Sequence, residues 1–265
     1  MPWRITPDNA GRRRWGRKVG GDKQFAGVKP LFEPLSKAGF AWFSINYRLA
    51  PKHHFPAPVE DVESAIRWVK AHARQYRVDP QRIALTGESA GAHLVAMVAV
   101  QAKPDTQVAA VVPFYGPFDL EGLARSKSNE RAAQAVLGLV GATQLNEEAY
   151  QLLRKASPMN YVHQGMPPFL LIHGTADTIV PHEQSVKLCE KIKSVGGACE
   201  LLSVEGADHG IGGWEKHPQF QAYKSRLVEW LKATLDRQGD QGPVAYRTVR
   251  VRALPPPAIN ELPTQ

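Results

Sequence analysis

This chain of 265 residues predicts an α/β fold: a mostly parallel sheet with helices on both of its faces and a small lid insertion. Three observations carry that reading. Strand-like and helix-like segments alternate along most of the chain, the pattern of parallel βαβ units. A Gly-Glu-Ser-Ala-Gly pentapeptide at residues 87–91 stands between a short apolar run and an Ala-, Val- and Leu-rich run. Asp177 and His209 follow two later apolar runs, in the loops past the carboxyl ends of strands where α/β sheets build their sites.

Taken in order, a strand is predicted at 40–47 and a helix at 59–76. In the helix, Val62, Ile66 and Val69 recur at helical spacing and form a core-facing stripe. A strand at 82–86 leads into the pentapeptide, a helix follows at 90–102, and another strand at 108–115. The alternation then stops over 116–168, where helical stretches at 129–139 and Glu147–Lys155 precede a return through Ser157-Pro158. An insertion of this length reads as a lid over the site, and Phe118, Leu123, Leu137 and Leu139 are its candidate pocket residues. The regular pattern resumes with a strand at 169–173, a helix Glu183–Ser194, a strand Cys199–Val204 and a helix at 219–235. Residues 1–13 contain no apolar run; residues 237–265 read as a linker and a proline-rich tail. Within that tail, 244–253 mixes apolar residues with arginine, which suits an edge strand or disorder better than a central parallel strand. The expected division is an atypical basic segment at 1–19, one domain at 20–236 and a tail at 237–265.

The chemistry follows from the pentapeptide. A serine at a sharp strand-to-helix turn stands above the sheet, with glycines on either side that let strand and helix approach. The helix behind it offers free N–H groups to a developing oxyanion. A serine hydroxyl needs an imidazole to take its proton, and the imidazole needs a carboxylate to fix its tautomer. The order Ser89, Asp177, His209 is that of α/β-hydrolases and differs from the chymotrypsin and subtilisin orders. His173, at a strand end, and His53-His54, in a polar loop, are the weaker candidates for the base, and Asp208 is the weaker candidate for the acid. Arg48 and Asp61 read as a structural ion pair.

The stretches 46–51 (Asn-Tyr-Arg-Leu-Ala-Pro), 55–58 with Glu60-Asp61-Val62, 79–83, the Gly-Glu-Ser-Ala-Gly turn, Ser157-Pro158, 173–177 and Asp208-His209-Gly210 together resemble the hormone-sensitive-lipase-like branch of α/β-hydrolases. Within that branch the likeness is to small bacterial carboxylesterases with feruloyl and acetyl-xylan esterase relatives, and it covers about residues 20–235. The resemblance implies a serine esterase with nucleophile Ser89, acid Asp177 and base His209. Its oxyanion hole would combine the Ala90 N–H with a glycine-rich loop preceding a Gly-Asp-Lys segment. Here Gly21-Asp22-Lys23 is present but the residues before it read Arg-Trp-Gly-Arg-Lys-Val-Gly, so Gly20 or Gly21 is left as the second donor. The apolar strand that feeds this loop in the family, between the 40–47 and 82–86 strands, has no counterpart in residues 1–13. Glu88, Phe118 and Trp214 are the candidate substrate contacts. The expected substrate is a small short-chain or aryl ester, with no cofactor and no metal. A kynurenine-formamidase-like amidohydrolase and a weakly active relative with an incomplete oxyanion hole are the alternatives.

The formal net charge is +8. Residues 1–30 carry eight Lys/Arg and two Asp, and residues 237–265 carry four Arg with one Asp and one Glu, so 31–236 is neutral. Charge confined to the ends argues against a nucleic-acid partner, which calls for a basic folded face. Without an apolar signal core near Met1 or a run of 18 apolar residues, neither a secretory signal nor a membrane span is expected, and a cytoplasmic location is the default. Cys189 and Cys199, the two cysteines, are expected as buried free thiols. Nothing in the sequence speaks to oligomeric state.

Overall fold

The computed structural model describes residues 28–126 and 130–239. Among these residues the sheet has four parallel strands in the order β1 (Ala84–Glu88), β2 (Ala110–Phe114), β3 (Phe169–Gly174) and β4 (Cys199–Val204). β2 and β3 are buried along their whole length and carry apolar residues on both faces, as a strand covered by helices on each side requires.

Around the sheet run α1 (Lys29–Lys37), α2 (Ala57–Ala71), α3 (Ala73–Tyr76), α4 (Ala90–Val100), α5 (Leu120–Arg125), α6 (Glu130–Val140), α7 (Glu147–Lys155), α8 (Glu183–Ser194), α9 (Ile211–Trp214) and α10 (Tyr223–Gly239). Alternation along the strands sorts the core into two layers. Ala110, Val112, Phe114, Leu170 and Ile172 face α1 and α10, where Leu31, Leu35, Leu227 and Leu231 complete one cluster. Val111, Phe169 and Leu171 face α4 and α8, packing on Val95, Ala99, Leu188 and Ile192. α2 lies outside α4 and buries Val59, Val62 and Ile66 against Leu94, Met97 and Val98, so Val62 and Ile66 of the expected stripe are core while Val69 is only partly buried, and the helix breaks at His72 into α2 and α3.

The insertion between β2 and β3 folds as α5, α6 and α7 around a small core of its own, including Leu120, Leu123, Val136, Leu137 and Leu153. Two of its helices begin on side-chain caps: Asp119 accepts from the Gly122 N–H at 2.9 Å and Asn146 from the Ala149 N–H at 2.8 Å. Each such cap contributes roughly 1 kcal/mol. The insertion docks on the loop before α2, where the Phe55 N–H donates to the Leu139 carbonyl at 2.8 Å and the His54 Nδ1–H donates to the Gly138 carbonyl at 3.0 Å.

Two expectations are corrected. Residues 40–47 form no strand: a strand exists only through a ladder, and among the described residues β1 pairs with β2 alone. Side chains of this segment still pack, with Ile45 and Tyr47 against the α2/α4 cluster and the Phe43 ring edge-on to Tyr76. The cysteines are not free thiols: Cys189 on α8 and Cys199 at the start of β4 are disulfide-bonded, with Cα atoms 5.5 Å apart. The short turn from α8 into β4 brings the two side chains together, a closeness that spacing alone did not reveal. Helices α1, α5 and α9 are additions to the sequence reading. No helix among the described residues is long and apolar enough to cross a membrane.

Candidate active site

Ser89 sits between β1 and α4 with φ 50° and ψ −114°, a strained conformation of the kind retained where a side chain must be presented. The strain is held from several sides. The Ser89 N–H donates to the Phe114 carbonyl at 3.0 Å, which anchors the turn to β2. A Cβ on Gly87 would lie 2.4 Å from the Gly91 carbonyl oxygen, so only glycine lets β1 and α4 come this close. A Cβ on Gly91 would meet nothing within 4 Å among the described residues. Only the first of the two glycines is thus required by packing seen here. α4 begins at Ala90, and the first-turn amides of a helix have no intrahelical acceptor.

The acid comes from the loop after β3. Gly174 ends that strand in contact with the next loop: a Cβ there would lie 2.1 Å from the Ala207 carbonyl oxygen, and the Ala176 N–H donates to that same oxygen at 3.0 Å. The side chain of Asp177 is fully buried. Its Oδ1 accepts from the Ile179 and Val180 N–H groups, both at 2.8 Å, and its Oδ2 lies 2.7 Å from His209 Nδ1 and 3.2 Å from His173 Nε2. Burial alone would raise the pKa of this carboxyl. Hydrogen bonds from His173 and His209, the charge of His209 and the Val180 N–H outweigh it and hold the group well below the usual carboxylate range.

His209 completes the line, with Nε2 3.0 Å from Ser89 Oγ. Since the ionised carboxylate only accepts, Nδ1 carries the proton and Nε2 presents a lone pair to the serine hydroxyl. The other candidates take supporting places. His173 is buried, with Nε2–H shared between the Val180 carbonyl at 2.9 Å and Asp177, and Nδ1 2.7 Å from Ser185 Oγ. Asp208 is exposed and ties two loops by accepting from the Thr178 N–H at 3.2 Å and the His209 N–H at 2.7 Å. Arg48 is held by Asp61 through Nε at 2.9 Å, by the Ala57 carbonyl and by Glu60.

An apolar cleft opens beside Ser89, with Leu49, Pro58, Leu94, Leu123, Val136 and Leu139 in its walls. Of the residues expected around substrate, Leu123 and Leu139 line it. The others are placed elsewhere. Phe118 is fully buried among the residues under α4 and α8, held there because Gln184 Oε1 accepts from its backbone N–H at 2.8 Å. Leu137 belongs to the core of the insertion. Trp214 is buried against Tyr115 and Tyr223 and donates its indole N–H to the Asp208 carbonyl at 2.6 Å. Glu88 is turned beneath the site, where it accepts from the Tyr115 hydroxyl. Gly20 and Gly21 lie outside the described residues.

Two residues of this neighbourhood were not singled out from sequence. His93, one helical turn past Ser89, lines the cleft and donates Nε2–H to the Ala156 carbonyl at 2.7 Å; burial pushes its imidazole down to about 4. Its spacing of four from the serine in a predicted helix puts both on one face, which was the available signal. Tyr115 stands at the end of β2 with φ 38°, and no local pattern announces it. No group of three or more His, Cys, Asp or Glu among the described residues could hold a metal ion.

A parallel sheet with a nucleophile turn, an acid after one strand and a histidine after the next defines an α/β-hydrolase of the hormone-sensitive-lipase-like kind. The BD-FAE family model matches residues 16–192, and the chain belongs to that family. It is similar to esterase LipC of Mycobacterium tuberculosis, 33% identical over 208 residues that make up 74% of this chain and 51% of that protein. It is also 25% identical to an acetylxylan esterase of Xylanibacter ruminicola, over 86% of this chain and 47% of the other. Among solved structures, a truncated carbohydrate esterase from gut microbiota superposes with a TM-score of 0.68 at 31% identity, covering 78% of each chain. The chain spans about half the length of these two curated relatives.

Proposed function

We propose that the protein is a serine carboxylic-ester hydrolase acting on short-chain or aryl esters through an acyl-enzyme. The observation that supports this most is the continuous hydrogen-bonded line from Ser89 Oγ to His209 Nε2 at 3.0 Å and from His209 Nδ1 to Asp177 at 2.7 Å, at the mouth of an apolar cleft. In this reading Ser89 Oγ attacks the ester carbonyl carbon while its proton passes to His209. The tetrahedral oxyanion is met by the Ala90 N–H, and the alcohol leaves with the proton returned by His209. Water then attacks the acyl-serine by the same route in reverse, releasing the acid. Asp177 stays ionised and stabilises the imidazolium that forms in each half. The second oxyanion donor is assigned to Gly20 or Gly21. One such donor is worth about 100- to 1000-fold in turnover, so the segment around these glycines sets how fast the enzyme is. The names of the relatives support esters over amides as substrates.

The test is hydrolysis of a chromogenic acetyl ester. Wild-type turnover that falls by about 10⁶-fold in Ser89→Ala supports the assignment; turnover retained in that variant would end it.

A further inference from the structure

The described nucleophile turn and base loop are joined by a second connection besides the serine–histidine contact. Glu88 is the last residue of β1, immediately before Ser89. Its carboxylate accepts from the Tyr115 hydroxyl, and the same hydroxyl oxygen accepts from the Ile211 N–H at 2.8 Å. That amide lies two residues past His209 and is the first of α9. The directions of these bonds are fixed: an N–H can only donate, so the tyrosine oxygen accepts from Ile211 and turns its own proton to Glu88, which as a carboxylate can only accept. Meanwhile the Tyr115 ring packs edge-on to the His209 imidazole at 4.7 Å between centroids, with its other neighbours Trp214 and Phe114 closing it in.

Three further facts argue that this arrangement is specified and not incidental. Tyr115 is fully buried, and a tyrosine hydroxyl in that setting needs partners. It adopts a positive φ of 38°, a strained conformation for a non-glycine residue that persists only where the surroundings require it. Glu88 is partly buried, and burial, partly offset by the Tyr115 hydrogen bond and the charge of His209, raises its pKa. Carrying a carboxyl there for packing alone would be poorer than an apolar residue of the same size.

We propose that Tyr115, with its hydroxyl anchored by Glu88, is a positioning residue that fixes the His209 loop, and thereby Nε2, against Ser89. This rests on the serine-hydrolase reading for its kinetic consequence but not for its structural one. If the hydroxyl is removed in Tyr115→Phe, the ring still packs on His209 while the Ile211 N–H loses its acceptor. The loss then falls on alignment for proton transfer, a geometry to which rates are steeply sensitive, and leaves the apolar cleft as it was.

The experiment is a double-mutant cycle with Tyr115→Phe and Glu88→Leu, the latter keeping side-chain bulk without an acceptor. It is read by kcat and KM on a chromogenic acetyl ester and by hydrogen exchange of the Ile211 amide. Each single variant is expected to lower kcat about tenfold with KM within about twofold, and the double variant to lose no more than either single one, because both break one linkage. The Ile211 amide is expected to exchange faster in Tyr115→Phe than in wild type. Losses that multiply in the double variant, a change in KM in place of kcat, or an Ile211 amide equally protected in Tyr115→Phe would overturn the proposal. If Glu88→Leu does not fold, the Tyr115→Phe kinetics and exchange decide alone. A wild type without ester turnover would refute the serine-hydrolase reading, while the Ile211 exchange would still judge the linkage.

Discussion

The two sides of the sheet are built to different standards. From β2 through β4 the strands pair in parallel, Phe169, Leu170, Leu171 and Ile172 are fully buried, and the loops beyond β3 and β4 are bonded to each other through Thr175, Ala176 and Gly206. On the other side, among the described residues, β1 pairs only with β2, its residues are exposed or only partly buried, and residues 40–47 join no ladder. Asp177 and His209 belong to the first side, and Ser89 stands at its junction with the second. What holds Ser89 in place is therefore the set of bonds reaching across from β2 and the base loop: the Ser89 N–H to Phe114, Glu88 to Tyr115 and Ser89 Oγ to His209.

Mutations can break or sharpen this contrast. The largest effect is expected at the acid. Asp177→Asn removes the acceptor that fixes the His209 tautomer and is predicted to lower kcat by about 10⁴-fold, measured on the acetyl ester, with KM little changed. Packing on the well-paired side comes next. Leu170→Ala on β3, at a fully buried position, is predicted to cost about 3 kcal/mol or more of stability, seen as a thermal midpoint lower by roughly 6–12 °C.

The junction has its own pH signature through His93. Its folded-state pKa of about 4 lies below the 6.5 of a free imidazole, so between these values the unfolded chain binds a proton that the folded chain refuses. Stability attributable to this site is whole above pH 6.5 and is lost as pH falls towards 4, by roughly 3 kcal/mol in all. His93→Gln, which keeps a donor for the Ala156 carbonyl, is predicted to flatten that part of the stability-pH curve in urea unfolding. An unchanged slope would contradict the buried neutral imidazole. The smallest effect is expected on the unpaired side, where Ile45→Ala, at a partly buried position, should cost about 1 kcal/mol. An Ile45 loss equal to that of Leu170 would erase the distinction between the two sides.

Much of the β2–β4 side was legible in the sequence: the continuous apolar run at 169–173 announces a buried strand, Cys199–Val204 a partly buried one, and Glu147–Lys155 and Glu183–Ser194 show themselves by helical spacing. Residues 40–47 have the same look, yet strand formation depends on a partner, and local composition does not report whether one is present. Ser89, Asp177 and His209 were readable because each follows a strand signal and the chemistry demands that order. Of the expected pocket residues Leu123 and Leu139 line the cleft, whereas the place of Phe118 depends on a bond from Gln184, remote in sequence, and that of Trp214 on packing with Tyr115 and Tyr223. The Cys189–Cys199 bond escaped for the same reason: it follows from how α8 lies on β4.

The central claim is that bonds from β2 and the His209 loop hold Ser89 as an activated nucleophile. Labelling with a fluorophosphonate, followed by peptide mass analysis, tests it most directly. One label per chain on Ser89, abolished in His209→Ala and strongly slowed in Asp177→Asn, is the predicted result. Wild-type protein that remains unlabelled, or a label rate untouched by His209→Ala, would contradict the account.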